Sequence, residues 1–254
     1  MTFFVPAIFF VLGAIFASFA GVVTGRLHTG QSIIRGRSRC DACNHELGVL
    51  ELVPIVSYVM YRGRAACCGA RISPLSTLTE ILLGVLMVLA YLKLGITPAL
   101  IAALVTLVLL QALVIYDLLH QILPFVLLVP FVVAAVITDV LSSSTQELFS
   151  HTCVAAALAA TLLILHYGSR GRAMGFADAP FTLGLAFVAG ANALSGFVYS
   201  FWIGAVVGII VLLRRPAGSR MGVEVPFAPF LAAGFLLAYF TQWNIFALTA
   251  LFGF

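Results

Sequence analysis

Eight long apolar stretches mark the chain, at about 3–24, 77–94, 97–117, 122–141, 148–167, 176–193, 195–213 and 227–250. Each approaches the ~20 apolar residues that a helix needs to cross ~30 Å of hydrocarbon. Several of the breaks between them carry turn chemistry: Gly95 with Pro98, the serine run 142–144, and Asn192 with Ser195 and Gly196. The pattern predicts an all-helical polytopic membrane protein of about eight spans. The first stretch has no basic residue ahead of its apolar core and reads as a retained anchor rather than a signal peptide. One long interruption remains, 25–76, and it predicts a small cysteine-bearing domain between helices 1 and 2. Inside it, VLELVPIVSYVMYRG is apolar but broken by Glu51 and Pro54. That segment reads as a core, membrane-surface or re-entrant element rather than a ninth span. The expected division is 1–24, first span; 25–76, extramembrane domain; 77–254, seven-helix domain.

Composition agrees. With 63% hydrophobic and 9% charged residues, a soluble globule, a disordered chain, a disulfide scaffold and a nucleic-acid binder are all excluded. Charge placement supplies the topology. Arg26, Arg35, Arg37, Arg39, Arg62, Arg64 and Arg71 fall in the first loop, and Arg170, Arg172, Arg214, Arg215 and Arg220 in later loops on the same side. The sole lysine, Lys93, falls opposite, so the positive-inside rule places the cysteine domain in the cytoplasm.

Asp139 and Glu147 fall near the outer side, and three further acidic residues in or beside apolar stretches need explaining: Glu80, Asp117 and Asp178. A carboxylate in hydrocarbon costs several kcal/mol unless paired, hydrated or protonated, so such residues suggest function. Asp117 ends the third span and Asp178 opens the sixth, which puts both at the cytoplasmic boundary. Two carboxyls that meet can share one proton, one activating water while the other donates. The alternative is that each caps a helix end. Glu80 stands one turn into the second span, either complementing the helix dipole or touching substrate or cofactor. Of the histidines, only His120, three residues past Asp117, is expected near the acidic pair, with a structural role favoured.

Cys40 and Cys43 form a CxxC pair, and after 23 intervening residues Cys67 and Cys68 stand adjacent. In a reducing cytoplasm these are either a thiolate zinc site or buried or reactive thiols. A CC pair has poorer local geometry than a second CxxC, and His28 or His45 could substitute. Cys153, among alanines, reads as packing.

The ordered strings ASFAGVVTGRL, VPIVSYVMYRGR, CCGARISP, TEILLGVL, IYDLLHQILP, GFAD and VPFAPFLAAG resemble the bacterial type IV prepilin peptidases, which are GxGD-type aspartyl proteases and N-methyltransferases. The resemblance spans nearly the whole chain. It implies an inner-membrane enzyme that removes a short basic leader from prepilins or pseudopilins at the cytoplasmic face. Asp117 and Asp178 match the two catalytic positions. It also implies methylation of the new N-terminus with S-adenosylmethionine, and zinc on the cysteine loop.

Departures from the family pattern are local. GxGD reads Gly175, Phe176, Ala177, Asp178, and an alanine there matters if the turn needs positive φ. Phe125 stands where an acid often follows the LP step, and Ala65 where the third cysteine belongs, leaving Cys67 as an extra. A peptidase without methyltransferase activity fits that loop as well. Two other classes use the same residues: a prepilin-binding homologue that does not cut, and an ion- or proton-coupled transporter with Glu80, Asp117 and Asp178 as a relay. Against the transporter, the acids gather toward one face and no inverted repeat is visible.

Overall fold

A computed structural model describes residues 4–27, 32, 38–40, 42–172, 174–214 and 226–245. His28, Arg35, Arg37, Asp41, Arg215, Arg220, Glu224 and the end of the last apolar stretch lie outside the described residues. The helices are α1 (Phe4–Arg26), α2 (Val56–Met60), α3 (Pro74–Leu94), α4 (Pro98–His120), α5 (Phe125–Ser142), α6 (Thr145–Gly168), α7 (Asp178–Ala189), α8 (Ala193–Arg214) and α9 (Ala228–Thr241). Among the described residues there is no strand, only two isolated antiparallel bridges in the cysteine region.

Local chemistry sets the ends. Ser73 and Thr97 cap α3 and α4, each with proline at the first helical position. Ser144 and Glu147 form a capping box on α6. Gly95 at φ 64° ends α3, and Gln121 in the left-handed region ends α4 through its N–H to the Asp117 carbonyl, 2.8 Å.

The eight predicted apolar helices are present, but they are not equally long. Six helical runs are long and apolar enough to cross a membrane, and they count α7 and α8 as one run, Asp178–Arg214. That run reverses. Gly190, at φ 57°, and a short 3₁₀ turn over Gly190–Asn192 fold α8 back so that it packs antiparallel along α9. Predicted as 176–193, α7 has only 12 residues, about 18 Å of rise. The reversal at glycine shortens it.

Helix α4 is the hub. It shares a core with α1 and α3 through Leu83, Met87, Leu100 and Leu107, and a larger one with α5, α7 and α9 through Leu113, Phe131, Phe181, Leu185, Leu231 and Phe235. Small residues allow close crossings where hydrocarbon provides no hydrophobic drive. A Cβ on Gly13 would lie 2.7 Å from the Gly84 Cα, and one on Gly234 would strike the Ser200 backbone nitrogen. Cys153, expected in packing, is instead exposed on α6.

Several polar groups at depth are paired. Thr106 and Thr138 bond each other at 3.2 Å between α4 and α5. At the other end of the bundle from the cysteines, buried Asp139 receives His151 Nδ1 at 3.0 Å and the Ser143 hydroxyl at 2.7 Å.

Gly234→Val should force α8 and α9 apart and cost about 1–3 kcal/mol, as overpacking does. Gly208→Val, where nothing lies within 4 Å, should change stability little. Thermal unfolding of the two variants in detergent checks the contrast.

Candidate active site

Asp117 occupies the last turn of α4 and is 6% exposed. Its Oδ2 accepts the Ala228 N–H at 3.2 Å. Ala228 is the first residue of α9, so the carboxyl faces a helix N-terminus, where unsatisfied N–H groups and the macrodipole favour negative charge. Sequence reasoning quoted VPFAPFLAAG without assigning it this contact. Helix-start prolines were the available signal.

Asp178 is the first residue of α7 and half-buried. Its Oδ2 accepts the Gly175 N–H at 2.9 Å. Asp117 and His166 both act on it electrostatically. The two aspartates, 61 residues apart in sequence, therefore share one site at the same end of the bundle. Each has one oxygen held by a backbone N–H.

The loop into Asp178 is folded over His166. Its Nδ1 donates to the Met174 carbonyl at 2.8 Å, and its ring meets the edge of Phe176 at 5.8 Å. Phe176 in turn packs on Phe125 at 6.5 Å. The histidine that reaches the acidic site is thus His166 at the end of α6, not His120. His120 is exposed and stacks on Tyr116 at 4.4 Å. Proximity in sequence misled here because His120 follows Asp117 on the same helix but points elsewhere.

Ala177 has φ −71° and ψ −15°, ordinary right-handed geometry open to any L residue. The second glycine of the family pattern is not needed for backbone freedom in this turn. Gly175 is different. A Cβ there would sit 3.2 Å from Asp178 Oδ2, against the carboxylate itself.

Glu80 stands apart from the pair. It is 6% exposed and accepts the Ile55 N–H at 2.8 Å, with the Ser18 side chain close by. Gln111 on α4 donates to the Thr79 carbonyl at 3.0 Å, which sets the register of α3 against α4. Asp117 lies six residues beyond Gln111, about 9 Å along the helix from the level of Glu80.

The four cysteines converge. All four Sγ atoms lie within 4.8 Å of one another, with Cys40–Cys68 at 3.8 Å and Cys43–Cys67 at 3.3 Å. Tetrahedral coordination at about 2.3 Å per Zn–S bond requires sulfur separations of roughly 3.8 Å. The set therefore fits a metal ion. Backbone N–H groups of Ala42 and Cys43 bring the Cys40 thiol down to about 7, suited to a thiolate ligand. Cys67, hydrogen-bonded to Cys43 and crowded by other thiols, is pushed up to about 12. Deprotonating all four together requires a cation among them.

The turns that carry them are two copies of one backbone. Cys40 N–H bonds the His45 carbonyl and Asn44 N–H the Cys40 carbonyl; Ala65 N–H bonds Ala70 and Gly69 N–H bonds Ala65 in the same pattern. Asn44 and Gly69 hold the matching positive φ, 59° and 72°, and the bridges Arg39–Glu46 and Arg64–Arg71 close the two turns. Ala65 thus stands in the place of Cys40, and Cys67 in the place of Ala42. The extra cysteine supplies the thiol that Ala65 lacks. His45 gives the cluster a carbonyl for Cys40 N–H, while its ring lies outside the ligand set.

Comparison with known proteins follows this geometry. Residues 11–94 match the bacterial peptidase A24 N-terminal domain, and residues 104–213 match the type IV leader peptidase family. A prepilin leader peptidase/N-methyltransferase of Bacillus subtilis is 32% identical over 237 residues, covering 92% of this chain and 93% of that protein. The chain belongs to the type IV leader peptidase family. Others of the same name are 41% identical over 127 residues in Myxococcus xanthus, 50% of this chain and 38% of that protein, and 28% identical over 205 residues in Pseudomonas aeruginosa, 79% and 70%. No solved structure matches. As a leader peptidase family member, the chain joins a multi-pass helical bundle to a cysteine cluster that fits a metal ion.

Cys67→Ser should lower bound metal as far as Cys40→Ser does, read by elemental analysis of purified protein. The double change Ala65→Cys with Cys67→Ala should restore it, because the second turn then repeats the first.

Proposed function

We propose that this chain is an aspartic endopeptidase that removes the short basic leader of type IV prepilins or pseudopilins at the cytoplasmic face of the inner membrane. The convergence of Asp117 and Asp178 from separate helices carries this reading. The activity of the relatives, prepilin leader peptidases, supports the substrate, and the arginine-rich loops beside the cysteine turns support the orientation. The substrate's apolar helix lies against the bundle and presents its leader junction to the two aspartates. One ionised carboxylate takes a proton from water, whose oxygen attacks the scissile carbonyl carbon. The other, protonated, donates to the carbonyl oxygen; collapse of the tetrahedral intermediate breaks the C–N bond and returns a proton to the leaving amine. The Ala228 and Gly175 N–H groups hold the carboxylates in place while protons move.

The second proposed activity is methylation of the new N-terminus with S-adenosylmethionine, in keeping with relatives that are also named N-methyltransferases. Zinc held by Cys40, Cys43, Cys67 and Cys68 would tie the two turns together as a structural ion. Its contribution there is rigidity of the first loop.

Intact mass of a prepilin incubated with the reconstituted protein and S-adenosylmethionine tests the proposal. Leader loss should fall about 10²–10⁴-fold in Asp117→Asn and in Asp178→Asn, the range of a lost acid–base group. A further mass gain of one methyl would report the transfer. Uncut prepilin with folded wild-type protein, across the available pilins, would sink the peptidase reading in favour of a binder or transporter.

Gly175→Ala should slow cleavage, because its methyl presses on the Asp178 carboxylate, whereas Ala177→Gly should leave the rate near wild type. Single-turnover rates at saturating enzyme separate the two.

A further inference from the structure

The segment between the two cysteine turns lies deeper than an extramembrane loop would. Helices α1 and α3, of 23 and 21 residues, match the hydrocarbon thickness, so their ends mark its boundary. Glu80 is the seventh residue of α3, about 9 Å inward from Pro74, and its carboxylate accepts the Ile55 N–H at 2.8 Å. Ser18, about 12 Å inward from Arg26 on α1, acts on the same carboxylate. The Ile55 peptide therefore lies below the helix ends.

The local chemistry suits that depth. Val49–Leu52 form a 3₁₀ turn and Val56–Met60 a short helix, with Ile55 between them at φ 61°, ψ −48°. A β-branched residue holds positive φ only where its surroundings impose it. Irregular backbone at membrane depth needs its polar groups satisfied by protein. Between Gly48 and Tyr61 the one charged side chain is Glu51, whose carboxylate is bound by the Gly48 N–H at 2.6 Å. Val49, Leu50, Val56, Val59 and Met60 are all more than half exposed, Val49 at 77% and Val59 at 68%. Arg62 and Arg64 follow at the exit, placed to reach lipid phosphates.

We propose that residues 49–60 form a re-entrant element inserted into the leaflet nearest the cysteine turns, its outward apolar side chains in contact with acyl chains and its turning point held by Glu80. Glu80 is a positioning residue in this arrangement, an acceptor for a backbone N–H that lipid cannot satisfy.

The test is tryptophan fluorescence of the full chain in phosphatidylcholine vesicles. Val49→Trp and Val59→Trp are made separately with Trp202→Phe and Trp243→Phe, which clears the background. Brominated phosphatidylcholine should quench most of the emission at both positions, and aqueous iodide little. Emission open to iodide and untouched by bromolipid, in protein of native helical content, would overturn the proposal. So would emission that ignores bromolipid but responds to added prepilin, which would make the occupant a protein. In the Val59→Trp form, Glu80→Leu should increase iodide quenching and shift emission to the red, and Glu80→Gln, which keeps a carbonyl acceptor, should not. Equal quenching in both would remove Glu80 from the anchoring role.

Discussion

Hydrocarbon accepts and donates no hydrogen bonds, and most of this molecule follows from that. Helices satisfy their own backbones, and each polar group below the boundary must find a protein partner. Asp139 finds His151 and Ser143, Thr106 finds Thr138, and the Ser200 hydroxyl bonds carbonyls of its own helix and of α9. Lys93 bonds the Tyr239 carbonyl and lies over that residue's ring. Leaving any such group unpaired costs several kcal/mol.

The same constraint explains why the chemistry gathers at helix ends. Mid-helix N–H groups are already bonded, so only the first turn of a helix or a turn preceding it has backbone donors for a carboxylate. Asp117 takes its donor from the start of α9 and Asp178 from the turn before α7. Both donors depend on packing around α4, which brings α9 and α7 to the same end of the bundle. Glycines at Gly13, Gly84, Gly196 and Gly234 allow the close crossings that hold α1 to α3 and α8 to α9.

The cysteine region obeys a different rule, since water solvates its backbone and the ligands set its shape. Two turns with one hydrogen-bond pattern face each other, and the fourth thiol comes from two positions further along the second turn than symmetry requires. A cysteine side chain is short, but a shift from one side of a tight turn to the other still points its sulfur at the shared centre. Spacing alone made Cys67 look displaced. In three dimensions it joins the set.

The hydropathy of the chain by itself determined the number and order of the apolar helices and the character of the cysteine-bearing interruption, because burial in lipid requires long unbroken apolar runs and little else. It also singled out Asp117 and Asp178, since charge in such runs is costly enough to demand a reason. Tertiary structure alone decided that the two aspartates lie at the same end of the bundle, that His166 rather than His120 stands by Asp178, and that Ala177 sits in ordinary helical geometry. It alone decided the shortening of α7, the convergence of the Cys67 thiol with the other three and the engagement of Glu80 by Ile55. Each of these depends on the rotation of one helix against another or on a local φ, and neither quantity is encoded in the periodicity of apolar residues.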